Sequence, residues 1–496
     1  MPQAVGIAVA QFLFAAGAPL GIVNFFAIGA GGTLLLTGAT LAANILLSST
    51  QKQARGPAAD TSVKGSVRLS TPTQRIIYGR QRVGGAVFFI EQKPPYLYLG
   101  LVLCARKITA VNGLYIGNTY VPLDANGEAT SPPYYTGGTK YLKASFRLGE
   151  DDQNVDPLLA ADFANLDPNF RQRGHATAVF RFHYGDSIEH HQTLWGNVLV
   201  PNVSLDVSGV AVYDPRNPTH DIDDETTWTF NNNGVLIGAD FLKAQYGGRI
   251  AADRIDWDRI ADAADYCDDL VATKYEGFQK RWTIDGVISL DQRPFDIFNA
   301  MLGAFRGRCV QHQGLTWIES SRAKSPSFSI TENNLAGGFT YRDARPKKEA
   351  LNTVRTRFVA PDREYEVVDG PVLVDEDYLD ADGEPLEATA DLGLTSTHQR
   401  AQRLGLALLE ESRLGKTFAA SVRFDRLSAR VKAGDIVTVA LRTFASPNGI
   451  YIVTRCGFAE DFASLALELS EYDGGIDGRI LPADEREFDL ASIDVS

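Results

Sequence analysis

Charge is missing from the start of this chain. No Asp, Glu, Lys, Arg or His precedes Lys52, and residues 5–47 run for 43 positions without one. A secretory signal opens on basic residues and has a shorter apolar stretch, so a cleaved signal peptide is not expected. Cysteine is scarce. The four, at 104, 267, 309 and 456, form no CxxC pair, which excludes a zinc-knuckle spacing and predicts buried reduced thiols. Basic residues are outnumbered, 48 Lys and Arg against 61 Asp and Glu, for a net charge of −13 and a pI near 5.1. That balance argues against a nucleic-acid binder, which carries a basic patch or high pI. Catalytic signatures are absent too: no G-x-S-x-G elbow, no Walker A loop, no H-E-x-x-H. The "GAGG" at residues 29–32 follows no strand pattern and is no dinucleotide loop. No repeat of fixed period is present, which excludes a solenoid.

What is there fits a protein of about three domains: 496 residues, 44% hydrophobic and 22% charged. As one helix, residues 5–47 would reach about 65 Å, twice the ~30 Å of a bilayer core. Pro19 and the glycines at 29, 31 and 32 divide them into two shorter helices. Gly17 and Gly21, then Ala27 and Gly31, recur at four-residue spacing, the pattern of helices that pack closely in apolar surroundings. Lipid and a bundle of identical segments both fit.

Residues 51–66 are polar with Gly and Pro and read as a linker. Residues 67–235 read as β-rich. Asn112-Gly113 and Gly117-Asn118 are two turn signals. "TAVFRFHY", residues 177–184, alternates as a half-buried strand should. From 236 to 325 the pattern becomes mixed α/β. In "DWDRIADAADYCDDLV" the residues Ile260, Ala264, Cys267 and Val271 share a helical stripe, with Asp258 as the expected N-cap. "RPFDIFNAMLGAFRG" reads as a helix with Pro294 in its first turn and Gly307 past its end; its stripe is Phe295, Phe298, Leu302 and Phe305. "RCVQHQGLTWIES" reads as a hairpin turning at Gln313-Gly314. Residues 326–475 read as a β-barrel with one helix, "THQRAQRLGLALLEESR". Within the barrel Val437, Val439 and Leu441 share one face and Leu465, Leu467 and Leu469 another. Residues 476–496 form an acidic tail. The fold class expected is α+β, mostly β: barrel domains with inserted helical segments, preceded by an apolar helical N-terminal segment at 1–50.

Few side chains suggest chemistry. His183, His190 and His191 cluster near His175, but on a strand the adjacent pair would point to opposite faces, so surface histidines are expected rather than a metal site. "HDIDDETT", residues 220–227, lacks the glycine and terminal glutamate of an EF-hand loop and reads as a solvated acidic loop. The five tryptophans sit in apolar patterns that suit core packing. No catalytic, cofactor-binding or metal residue is expected, and no cofactor. "YGRQRVGG" sets Arg75, Arg80 and Arg82 around a glycine-containing turn. It reads either as a hairpin tip with solvated arginines or as a subunit-contact loop facing an acidic neighbour.

Several segments, in one order, resemble a known family. They are the apolar N-terminus, "PTQRIIYGRQRVGG" (72–85), "AVYDPRNP" (211–218), "TWTFNNNGVLIGADFL" (227–242), "YGGRIAADRIDWDRIADAADYCDDLV" (246–271), the stretch 281–318, "LNTVRTRFVAPDREYEVVD" (351–369) and "KAGDIVTV…GIYIVTRCGF". Together they cover nearly the whole chain, and it resembles the tail-tip, or host-specificity, protein J family of long-tailed phages, the baseplate hub proteins. The resemblance implies a non-enzymatic homotrimeric hub that closes the tail tube. Its expected partners are the distal tail protein ring, the tape-measure protein, a tail fibre or spike, and DNA only in transit. Residues 5–47 would then bundle as a plug along the tail axis, with release into the host membrane as a second role for the same segment. Longer members continue into a receptor-reading region that is not seen here, so receptor specificity is expected on a separate fibre. In that reading Asp484, Glu485, Glu487 and Asp489 are candidates for docking it. The rival expectation is a membrane-anchored hydrolase with a β-rich ectodomain.

Overall fold

A computed structural model describes residues 33–37, 73–274, 277–344, 346–459 and 463–488, and the chain there is mostly β. The largest sheet has nine strands. Its path runs Leu315–Glu319, Arg308–His312, Thr33–Thr37, Gly449–Phe458, Ser464–Glu471, Thr417–Arg423 and Leu335–Arg342. Ile436–Val439 also pairs with Gly449–Phe458, and Phe328–Ile330 pairs with Ile436–Val439 in parallel. Alternation along these strands drives the sheet to curl over one apolar face. Val437, Val439, Leu441, Leu465, Leu467 and Leu469 all lie in that core, with Phe418 and Tyr451. The Gln313-Gly314 hairpin forms as expected, both residues at positive φ, as a type I′ turn requires.

Thr33–Thr37 corrects the helical expectation for that stretch. It is a strand, antiparallel to Arg308–His312 with Leu35 opposite Val310, and antiparallel to Gly449–Phe458 with Thr33 opposite Cys456. A charge-free run suits a strand flanked on both sides as well as it suits a helix. Gly17, Gly21, Ala27 and Gly31 lie outside the described residues.

Two four-stranded sheets come from the N-terminal half. One runs Leu142–Arg147, Ala176–His183, Tyr96–Cys104, Ala86–Lys93; the other runs Arg80–Val83, Val203–Ser208, Ala110–Ile116, Thr119–Val121. Gly117-Asn118 makes the expected turn between the last two. Asn112-Gly113 does not turn. It lies inside Ala110–Ile116, where Gly113 faces Asp206 and Val111 faces Val207, so Asn112 is the extra residue of a β-bulge. Ala176–His183 is more buried than its alternation suggests. Ala178, Phe180 and Phe182 face the main core, while Val179 packs with Tyr98, Leu158 and Leu159 because the helix Pro157–Asp162 covers its other face.

Helices Gly234–Lys243, Trp257–Asp268 and Pro294–Ala304 form a layer beside the 308–319 hairpin. The cap of the second is Asp256, whose carboxylate accepts from the Arg259 N–H; Asp258 sits two positions further on, in the first turn, and Val271 is already in the strand Leu270–Ala272. His398–Arg413 lies on a mixed sheet of Glu366–Val374, Thr353–Ala360 and Glu387–Leu392. The approach is close at Gly405, where a Cβ would stand 2.5 Å from Leu373 and 2.8 Å from Thr356.

Candidate assembly interface

The three arginines around Gly79 do not share a hairpin tip. Arg75–Tyr78 pairs with Gly286–Ser289, whereas Arg80–Val83 pairs with Val203–Ser208, so the chain passes from one sheet to another. Gly79 makes the passage at φ +65°, and a Cβ there would lie 2.3 Å from the Ile284 carbonyl oxygen. Only glycine tolerates both. Arg75 is half-buried in its strand, its carbonyl accepting from the Ala105 N–H at 2.8 Å. Arg80 is exposed and clasps Asp206 with Nε at 3.0 Å and Nη2 at 2.5 Å, a bidentate pair that pushes its pKa upward. Arg82 is only 3% exposed. Its Nε donates to Ser204 Oγ at 2.8 Å, its Nη2 to the Gly117 carbonyl at 2.6 Å, and its guanidinium lies 4.1 Å from the centre of the Tyr115 ring. That corrects the solvated-tip expectation for Arg82, whose charge is used inside the chain.

The sequence reading missed the network behind Gly79. Tyr78 is fully buried; its hydroxyl donates to Asp240 Oδ2 at 2.5 Å and meets the Tyr246 hydroxyl at 2.8 Å. Arg106 Nη1 donates to Asp240 at 2.7 Å and to Tyr246 at 2.9 Å, and its Nη2 to Glu225 at 3.1 Å. Burial and the Asp240 charge push the Tyr78 hydroxyl well above the ordinary tyrosine pKa. The network ties the strand Arg75–Tyr78 to the helix Gly234–Lys243.

A second junction joins the helical layer, the mixed sheet and the large sheet. Arg306 bonds Glu411 at 2.6 Å and also pairs with Asp477, which further accepts from Tyr266 at 2.9 Å and Ser321 at 2.6 Å. A cleft of about 150 Å³ opens here, lined by Arg306, Arg308, Glu411, Tyr472, Asp473 and Ile476 among others.

The histidines take up different work from that expected. His190 and His191 lie on the helix Ile188–Trp195, not on a strand; His191 Nδ1 bonds the Tyr184 carbonyl and the Tyr141 ring stacks edge-on against His190. Among the described residues no group of three or more His, Cys, Asp or Glu side chains is placed to hold a metal ion. His220 Nε2 lies 3.2 Å from Thr229 Oγ1, but its Nδ1 accepts from the Asp214 N–H. The ring proton is thus on Nε2 and donates to the hydroxyl, so this tautomer takes no proton from threonine. The loop 220–227 closes on itself: the Asp224 carboxylate accepts from the Thr226 N–H and hydroxyl. All four cysteines are free and buried, which matches their reading. Trp195, Trp228, Trp282 and Trp317 are buried, as their apolar patterns suggest.

At the C-terminal end, Asp484 and Glu487 are exposed, Asp489 lies outside the described residues, and Glu485 is turned inward at 2% exposure. Glu485 Oε2 accepts from the Lys274 N–H at 2.9 Å, so this carboxylate is not presented to a docking partner. Surfaces open to contact lie elsewhere. Leu335–Arg342 and Ala86–Lys93 each end a sheet with a strand neighbour on one side among the described residues. Leu270 and Phe278 stand exposed on facing strands, and Phe424, Leu427 and Phe444 project from the large sheet and its loops.

Among the described residues these contacts tie secondary-structure elements to one another. Residues 294–455 match a family described as a putative phage tail protein. No curated protein sequence matches the chain. Among solved structures, a chain from the virion of a native gene transfer agent particle superposes with a TM-score of 0.60 at 17% identity, over 97% of this chain and 99% of that one. The tail protein from Neisseria meningitidis MC58 has a TM-score of 0.32 at 9% identity, covering 83% and 99% of the two chains. The 43 kDa tail protein of prophage MuSo2 from Shewanella oneidensis has a TM-score of 0.30 at 11% identity, covering 82% and 95%. At these identities the first superposition shows a shared fold, and the two looser ones carry no argument.

Proposed function

We propose that this protein is a non-enzymatic structural subunit of a phage-type tail, built into the virion as a trimeric hub at the distal tip. The tail-family match of residues 294–455 carries the reading, and the fold shared along nearly the whole chain with a component of a gene transfer agent virion supports it. The hub reading draws on the ordered set of motifs from residue 72 to residue 458 and on strand edges left open for a neighbouring copy. In this reading the hub closes the tube, contacts the distal tail ring and the tape-measure protein, supports a fibre or spike, and opens for DNA.

Two measurements test it. Native mass spectrometry of the full chain is expected to give three times the 54.0 kDa of one copy; a monomer at micromolar concentration would refute the trimer. Antibody labelling of particles in the electron microscope is expected to mark the end of the tail away from the capsid. Label along the tube or on the capsid would refute the tip position.

A further inference from the structure

The segment that follows the Asp477 junction crosses the body of the protein without regular structure beyond the single turn Pro482–Asp484. Residues 481, 483, 484, 486 and 487 are exposed, yet the segment is held by three specific devices. Glu485 is buried and accepts from the Lys274 N–H at 2.9 Å, with Arg403 Nη1 3.9 Å away; Lys274 Nζ returns a bond to the Glu485 carbonyl at 3.0 Å. Gln402 is fully buried and reads the main chain of Arg486 at both ends, accepting from its N–H at 2.8 Å and donating to its carbonyl at 3.0 Å. Phe488 packs against Phe358 at 5.6 Å and His398 at 5.4 Å between ring centres.

The receiving side is organised by its own contacts. Arg403 Nη2 donates to the Arg281 carbonyl, Arg400 Nε donates to the Lys280 carbonyl, and Gln402 Nε2 also meets His398 Nδ1. Arg400 and Arg403 are each 7% exposed, and Arg403 Nε has no hydrogen-bond partner. Burial first, then the neighbouring Arg400 charge, pulls the Arg403 pKa down to about 10. A buried cationic site of this kind is costly without an anion, and a carboxylate is the group that relieves it.

We propose that the trough formed by the helix His398–Arg413, the strand Thr353–Ala360 and Lys274 is a docking site for a linear Glu-x-x-Phe segment, filled in this chain in cis by residues 485–488. Specificity comes from one carboxylate, one main-chain amide pair and one aromatic ring, the economy of a peptide-recognition site rather than of core packing. The site sets where residues beyond 488 leave the body, and an equivalent segment supplied in trans competes for it. The inference stands whether or not the tip reading holds.

The test uses the full chain carrying Glu485→Ala and Phe488→Ala, which removes two of the three devices that hold the segment in cis, and a fluorescein-labelled peptide of residues 481–488. Fluorescence anisotropy is expected to show saturable binding to this variant and at least tenfold weaker binding to the unaltered chain. A peptide with Glu485→Gln is expected to bind at least tenfold more weakly than the parent. A folded variant that ignores the peptide, or one that binds both peptides equally, overturns the proposal. Hydrogen exchange on the unaltered chain provides a second readout. The Lys274 and Arg486 amides, which the docked segment protects, should exchange together and at least tenfold faster than those of His398–Arg413. Exchange of all of them in one step would make the segment part of the core and overturn the proposal.

Discussion

Replacing Asp240 by alanine should be among the most damaging single changes in the molecule. The carboxylate is buried and accepts from the Tyr78 hydroxyl at 2.5 Å and from Arg106 Nη1 at 2.7 Å. Removing one partner of a buried pair costs about 3–5 kcal/mol, most of it from the charge left behind. Arg106 keeps Tyr246 at 2.9 Å and the exposed Glu225 at 3.1 Å, and Tyr78 keeps Tyr246 at 2.8 Å, which places Asp240→Ala near the lower end, about 3 kcal/mol. Asp240→Asn retains an acceptor and loses only the charge, so about 1–2 kcal/mol is expected, the gap between a charged and a neutral hydrogen bond. Urea unfolding followed by tryptophan fluorescence measures each, and a double-mutant cycle with Tyr78→Phe isolates the pair. A coupling of about 1–2 kcal/mol is expected. A loss under about 1 kcal/mol for Asp240→Ala, or additivity within about 0.3 kcal/mol in the cycle, would show that the network is not what joins strand to helix.

Arg82→Ala should cost about 2–4 kcal/mol, because it leaves the Ser204 hydroxyl and the Gly117 carbonyl without their buried donor; an exposed arginine would cost under about 1 kcal/mol, so the same unfolding assay separates the two placements. Gly79→Ala should cost at least about 2 kcal/mol, since positive φ alone costs roughly 1–2 kcal/mol and the Ile284 carbonyl blocks the Cβ; a neutral result would mean the chain does not pass between sheets there. In the native state a thiol reagent at pH 8 should label none of the four cysteines, and all four after denaturation. Burial raises the thiols of Cys104, Cys267 and Cys309, the last to about 12, so the folded chain holds these protons more tightly than the unfolded one. For Cys267 and Cys309 the contribution is complete below the unfolded value of about 8.5 and is lost as pH rises; between pH 7 and 9.5 the two together should lose about 3 kcal/mol, and Cys309→Ala should remove about half of that slope.

What could be read from sequence was local and periodic. The helix Pro294–Ala304 announced itself through a stripe of Phe298 and Leu302 between Pro294 and Gly307, and the strands from 436 to 471 through the alternation of Val437, Val439 and Leu441 and of Leu465, Leu467 and Leu469. Long-range partnership was not legible. Tyr78 and Asp240 stand 162 residues apart, and neither sits in a motif. Glu485 looked like one more acid in an acid-rich tail, because nothing local distinguishes a carboxylate facing Lys274 and Arg403 from one facing water. Thr33–Thr37 was misread for a different reason. A short charge-free run has no period of its own, and its pairing with Arg308–His312 and Gly449–Phe458 is settled by strands hundreds of residues away. Asp258 lost the capping role to Asp256 by two positions, because Asp253, Asp256 and Asp258 all stand near the helix start and each is a competent cap.

The arginine reading changes what a ring of these subunits would rest on. Arg82 is committed to Ser204, Gly117 and Tyr115, and Arg80 clasps Asp206, so an acidic neighbour would have to compete with partners inside the chain. Desolvating Arg80 away from Asp206 would also strand a carboxylate whose side chain is only 8% exposed. Open sheet edges carry no such penalty. The N–H and C=O groups on the free side of Leu335–Arg342 and Ala86–Lys93 lack a strand partner among the described residues, and pairing with a neighbouring copy would satisfy them. Each edge carries a bulge, between Leu335 and Phe339 and between Val87 and Phe89, which blunts indiscriminate pairing and leaves short regular stretches at 339–342 and 89–93. Short regular edges of that kind restrict the register of pairing, so the sheet edges suit the contacts of the proposed trimer better than Arg80 and Arg82 do.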